Sequence, residues 1–242
     1  MTTSVEPHAG KKSNTPSVLI YSLVLFAALT ALTRALNIAV YLPSLTEKVP
    51  IWVPITLDII HDVLIISSYA FAISLTVFSV RALKNSALVC ASVCTAVIFA
   101  DRAFCLVWDI ASSNISVGEK RAFSDAVTWL LIDVVFFAVT FFASAIITGF
   151  INKKNGDDAN ELLPIKEAVF SSLVLTLLQL SSKAVICIQF MMAYNDVTAT
   201  EYAQMAGDIL LVILKYGVFM SGVAVLAYRI LYHIHRKKSV SI

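Results

Sequence analysis

Arg34 in LTRAL, Arg102 in ADRAF and Lys183 in SSKAV are bases set inside long apolar runs. Asp62 in HDVL, Asp133 in IDVV and Asp208 in GDIL are acids set the same way. Charge in such surroundings is costly and is retained where it is paired or used. Bases and acids alternate along the chain, so each base is followed by an acid in the next apolar run. If consecutive runs are antiparallel helices, ~1.5 Å per residue places all six charges in one layer, about 9–16 Å from the same end of the bundle. The spacing therefore predicts three base–acid pairs, one within each hairpin. It also predicts an internal repeat of two helices, with pseudo-threefold symmetry about the membrane normal.

Departures from this repeat are the stronger candidates for chemistry. Asp58 and His61 share a helix face with Asp62. An imidazole flanked by two carboxylates can carry a proton or gate by pH; the plainer reading is a hydrogen-bonded polar patch. Asp101 precedes Arg102 directly. Adjacent helix positions point about 100° apart, so the two cannot meet one neighbour, and one of them is expected to face a cavity. Lys215 lies about two turns beyond Asp208 on the same face, near the bilayer centre, and has no counterpart in the other hairpins. A lysine there can bind an anion, relay a proton or pair with an acid.

The elements that must position these groups follow from composition. Apolar residues make up 59% of the 242 and charged residues only 14%, against about 45–50% and about 25% in soluble domains. The fold class read from this is all-α, a polytopic membrane protein with six transmembrane helices in three pseudo-repeated hairpins. The spans are Ser17–Leu42, Val53–Val80, Ala87–Ile110, Ala126–Ile151, Ala168–Tyr194 and Tyr202–Tyr232. Each exceeds the ~20 residues needed to cross the hydrocarbon core. Uniformly apolar runs exclude transmembrane strands, which alternate in polarity over about 10 residues. The domain reading is a disordered N-terminus over 1–16, a six-helix bundle over 17–235 and a basic tail over 236–242.

Most lysines and arginines outside the spans fall on the side of the termini, among them Lys11, Lys12, Lys84, Lys153 and Arg236-Lys237-Lys238. Lys48, Lys120 and Arg121 fall on the other. The positive-inside rule then places both termini in the cytoplasm, and Trp52, Trp108 and Trp129 at the opposite ends fit an aromatic belt. For a eukaryotic chain this means the plasma membrane or a secretory-pathway membrane. Asn114-Ile-Ser116 is a glycosylation sequon on the outer side.

Several chemistries lose support. Cys90, Cys94, Cys105 and Cys187 all lie within spans, so no extracellular disulfide framework is expected. Cys90 and Cys94 share a face but are too few for a metal site, and neither a metal nor another cofactor is expected. No paired-histidine motif, nucleophile elbow or glycine-rich phosphate loop occurs, so no catalytic residue is assigned and no nucleic-acid partner is expected. Ala27, Ala31, Ala35 and Ala39 form a four-spaced ladder, and Gly217 with Ser221 repeats it. Such ladders let helices approach closely, either inside the bundle or, in the reading that makes a homo-oligomer, at a dimer face.

Two functions fit what remains. One is a small transporter or channel that moves an ion or small polar solute through the charged layer. The other is a non-catalytic assembly, trafficking or scaffold protein whose buried charges pair internally or with a partner's transmembrane helices. Both keep the lipid bilayer as the first partner.

Overall fold

The computed structural model describes residues 15–40, 50, 52–82, 86–111, 120–155, 163–193 and 198–240. The helices are α1 (Thr15–Val40), α2 (Trp52–Ala82), α3 (Ala87–Ala111), α4 (Lys120–Asn155), α5 (Leu163–Ala193), α6 (Ala199–Val212) and α7 (Met220–Val240). A π-helical stretch, Ile213–Phe219, joins α6 to α7. The described residues contain no strand. Six crossings of 20 to 37 residues result, the last running continuously through α6, the π-helical stretch and α7. The chain is an all-α, multi-pass membrane protein.

Helix starts follow local chemistry. Pro16, Pro54 and Pro164 stand in the first turns of α1, α2 and α5, where a missing N–H costs nothing. At α6, Thr198 and Glu201 form a reciprocal cap. The Thr198 N–H donates to Glu201 Oε2 at 2.7 Å, and the Glu201 N–H donates to Thr198 Oγ1 at 3.3 Å. Helix boundaries exceed the expected ones at both chain ends, since α1 begins at Thr15 and α7 continues to Val240. The rest of the N-terminal segment and the Asn114 sequon lie outside the described residues.

The second crossing is the axis of the bundle: α2 packs against α1, α3, α4, α5 and α7. This corrects the threefold expectation. A symmetric trimer of hairpins would give α2, α4 and the last crossing equivalent places, yet only α2 is central. Its termini-end half has the composition for that place. Ala70, Ala72, Ser68, Ser74, Thr76 and Ser79 are small enough for neighbours to close on every side, and all are buried.

Burial divides the bundle into two halves. Buried residues run over Ile66–Val80 in α2, Phe137–Thr148 in α4, Glu167–Thr176 in α5 and Val212–Leu231 in the last crossing. In α3 they end at Asp101 and in α1 at Thr33. Because helix directions alternate, these stretches all lie at the end that carries both termini. In the far half, α2 exposes Ile59 and Ile60 together with Ile55 and Val63. Adjacent positions point about 100° apart, so the neighbours there no longer enclose the axis.

Hydroxyls abound in the tight half and are spent locally. Thr76, Thr140, Ser144, Ser172 and Thr176 each donate to the carbonyl four residues back. Ser74 Oγ also lies 2.7 Å from the Ala224 carbonyl oxygen of α7, tying the axis to the last crossing. Gly217 faces α5, where a β-carbon would make an ordinary contact with Thr176 at 3.7 Å. The described part of the alanine ladder, Ala27, Ala31 and Ala35, is not the inner face of α1. That face is Val18, Ser22, Phe26, Thr30 and Thr33, whereas Ala31 and Ala35 are exposed.

The division is testable by truncation. Ile73→Ala, in the tight half, should cost about 2–5 kcal/mol, and Ile60→Ala in the open half less than about 1 kcal/mol. Reversible unfolding in mixed micelles reads both values, and equal costs would refute the two-half description.

Candidate functional site

The charged layer lies at the boundary between the two halves. Arg34 donates through Nε to Asp101 Oδ1 at 2.5 Å and through Nη2 to Asp101 Oδ2 at 2.8 Å, a two-pronged bond between α1 and α3. A planar guanidinium matches a carboxylate in this way, and the Asp101 side chain is only 2% exposed. Arg102, the next residue, turns the other way. Its Nη2 reaches Asp133 Oδ2 on α4 at 3.4 Å and the Tyr69 hydroxyl on α2 at 3.1 Å. Tyr69 itself packs against Phe137, with ring centroids 4.4 Å apart. Lys183 Nζ on α5 stands 3.7 Å from Asp208 Oδ2 on α6. Lys215 Nζ, in the π-helical stretch, donates to Asp62 Oδ2 on α2.

These contacts confirm some expected pairings and correct others. The second and third hairpins pair internally, Arg102 with Asp133 and Lys183 with Asp208. The first does not: Arg34 takes Asp101 from α3, and Asp62 takes Lys215 from the last crossing. The reason is competition. Three acids, Asp62, Asp101 and Asp133, share this part of the layer with Arg34, Arg102 and Lys215, and Arg34 binds the acid that both of its nitrogens can reach. Asp101 and Arg102 take partners on different helices, as two adjacent positions that point about 100° apart require. Arg102 keeps one buried unpartnered atom, Nε.

Asp58 is exposed on the open part of α2. His61 is half-buried, with Nδ1 4.0 Å from Asp62 Oδ1, longer than a hydrogen bond. The layer thus brings together Arg34, Asp101, Arg102, Asp133, Asp62 and Lys215 around α2 and α3. Lys183 and Asp208 form a looser pair between α5 and α6.

Two features escaped the sequence. One is the π-helical stretch, in which the Met220 N–H donates to the Lys215 carbonyl five residues back. Such widened turns occur often at functional positions, and this one carries the lysine with no counterpart elsewhere. Gly217 was its only signal. The other is a second ion pair, Arg81 with Glu167, at the termini end. Arg81 stands in the last turn of α2, where a base passes for an interfacial anchor. Among the described residues no cluster of three or more His, Cys, Asp or Glu side chains could hold a metal ion. Cys90 and Cys94 are buried, and all four cysteines are free thiols.

No family model matches the chain, and no curated protein or solved structure is significantly similar to it. The geometry alone carries the functional reading.

Pair strengths should rank by enclosure. Asp101→Ala leaves the Arg34 guanidinium enclosed without its acid and should cost about 3–5 kcal/mol, most of it regained in the double variant Arg34→Met/Asp101→Leu. Asp208→Ala, at the exposed pair, should cost under about 1 kcal/mol. Unfolding free energies of the four proteins in lipid–detergent micelles check this order.

Proposed function

We propose that the chain is a small membrane transporter or channel, in which an ion or small polar solute enters the open half and meets the charged layer as its selective constriction. The observation that carries this reading is the state of the Asp62–Lys215 pair. Both charges lie well inside crossings, yet their side chains remain 46% and 31% exposed, and the tightly packed half begins at the next turn, at Ile66. A purely structural pair would gain from enclosure of the kind that Arg34 and Asp101 have. A pair left open above a closed floor is where a permeating charge can compete, an anion for Lys215 or a cation for Asp62. The residues assigned to the pathway are Asp62, Lys215, Arg102 and Asp133, with Asp58 and His61 toward the mouth.

The orientation that goes with this reading puts both termini in the cytoplasm, following the basic residues at that end, and opens the entrance outward. The outward end also carries the exposed Trp52, Trp108 and Trp129. No catalytic role is assigned to the layer, whose groups pair bases with acids and set no nucleophile beside a base.

One observation favours a second reading, a non-catalytic assembly protein. Lys183 and Asp208 are 40% and 52% exposed at 3.7 Å, a pair loose enough for a partner's transmembrane helix to add to it.

Water access separates the two. With Cys105 and Cys187 replaced by serine, single cysteines at Ile55 and Ile59, on the exposed face of α2 that bears Asp62, should react with a membrane-impermeant thiol reagent applied from the side opposite the termini. Cysteines at Ile66 and Ile73 should stay unreactive from either side. Slowing of the Ile59→Cys reaction by one salt of an ion panel would identify the cargo class. A folded protein in which neither Ile55→Cys nor Ile59→Cys reacts from either side has a dry interior, and the conduit reading fails.

A further inference from the structure

The last crossing holds one residue too many for an unbroken α-helix between its two sets of ties. Below the π-helical stretch, Met220, Ala224 and Tyr228 of α7 are buried in the core, and the Ala224 carbonyl accepts from Ser74. Above and within the stretch the ties are charges: Asp208 of α6 meets Lys183, and Lys215 meets Asp62. A π-turn closes its hydrogen bond one residue later than an α-turn. Over Ile213–Phe219 it therefore takes up a residue for which the spacing of these ties leaves no room. Such bonding is rare in helices, so the ties on either side must hold it. Their holds are unequal. Those of α7 are enclosed, whereas both ion pairs are part exposed and bind weakly.

We propose that Ile213–Phe219 is a register switch: when the Asp62–Lys215 pair opens, the stretch returns to α bonding, and α6 turns about 100° and advances ~1.5 Å. Each residue of α6 then stands where the residue before it stood. Asp208 takes the place of Gly207, where an added β-carbon meets nothing within 4 Å. It leaves Lys183 as it does so, and the two pairs open together. Lys215 swings off Asp62 toward the exposed place of Leu214. The inward side of α6 stays apolar, because Ala206, Leu210 and Ile213 replace the half-buried Met205 and Ile209 and the buried Val212. Val212 is the one buried residue of α6, so little packing opposes the turn. As the gate of the pathway proposed above the switch rests on that reading, but the turn is measured without it.

Spin-label distances in lipid nanodiscs test the switch, with Cys105 and Cys187 replaced by serine. Labels on Ala203→Cys of α6 and Val135→Cys of α4 follow the turn, and labels on Leu226→Cys of α7 and Ile146→Cys of α4 follow the fixed half. Asp62→Asn should move the first distance by several ångström and leave the second unchanged. Deleting Val218 removes the surplus residue and should keep α6 in its original place, so that Asp62→Asn no longer moves it. The double variant Asp62→Asn/Lys215→Met leaves no lone charge; it should move α6 as the single variant does, and it serves if that one does not fold. An unmoved α6, a movement that survives the deletion, or a deletion protein that does not fold overturns the proposal. A moving α6 in a protein whose Ile55→Cys and Ile59→Cys variants stay unreactive upholds the switch and removes the pathway.

Discussion

A charged side chain inside an apolar span has no water to turn to, and this constraint organises the bundle. An unpaired charge there costs roughly 2.5–3.5 kcal/mol on insertion scales, so each base must be met by an acid from another helix. Arg34 binds α1 to α3, Arg102 binds α3 to α4 and α2, and Lys215 binds the last crossing to α2. Lys183 joins α5 to α6, and Arg81 joins α2 to α5. Every crossing takes part. Apolar packing alone cannot fix how far one helix slides along another, because neighbouring turns of Leu, Val and Ala are nearly interchangeable in lipid. Point charges can, and they set the register that the Ser and Ala surfaces of α2 then pack around.

The same pairs explain why the two halves differ. The termini half is rich in Ser and Thr yet needs no water, since most of its hydroxyls bond to their own helix and the small side chains let backbones close in. Above the layer, the exposed residues of α2 and α5 include the branched Ile55, Ile59, Ile60, Val63, Val185, Ile186 and Ile188. These suit a surface that neighbours do not cover. The charges stand where small-residue packing gives way to bulky, open faces.

Much of this was legible in the sequence, and what was not has a common cause. Long apolar runs fix six crossings, because length and composition settle that question without knowledge of neighbours. The charges that matter could be picked out for the same reason: Arg34 or Asp133 in hydrocarbon is conspicuous whatever it touches. Partner choice was not legible. Asp62 and Asp101 lie at similar depth, and only packing of α1 against both α2 and α3 decides which one Arg34 meets. The hairpin repeat suggested a symmetric answer, and one central helix broke that symmetry. The alanine ladder misled likewise, since spacing shows that a face is smooth but not where it points. Arg81 and Glu167 were hidden because a base at a helix end looks like an interfacial anchor.

Lys215 differs from the other bases in a way that bears on how the layer can work. Arg34 is fixed by two bonds, and Arg102 by contacts to two helices. Lys215 is a compact charge on a flexible stem, with one acid partner, in a stretch whose backbone bonding has already left the α pattern. The segment above it, α6, buries only Val212. Its ties are the Lys183–Asp208 pair and packing on α5 and on the π-helical turn. Below the turn, α7 is anchored by Met220, Ala224, Tyr228 and Leu231 in the core and by the Ser74 hydrogen bond. The last crossing is thus firmly held in one half and lightly held in the other, and its change of hold falls at the residue that bears the charge. In the transporter or channel proposed above, a solute that drew Asp62 or Lys215 away from its partner would act on the part of the bundle that is held least.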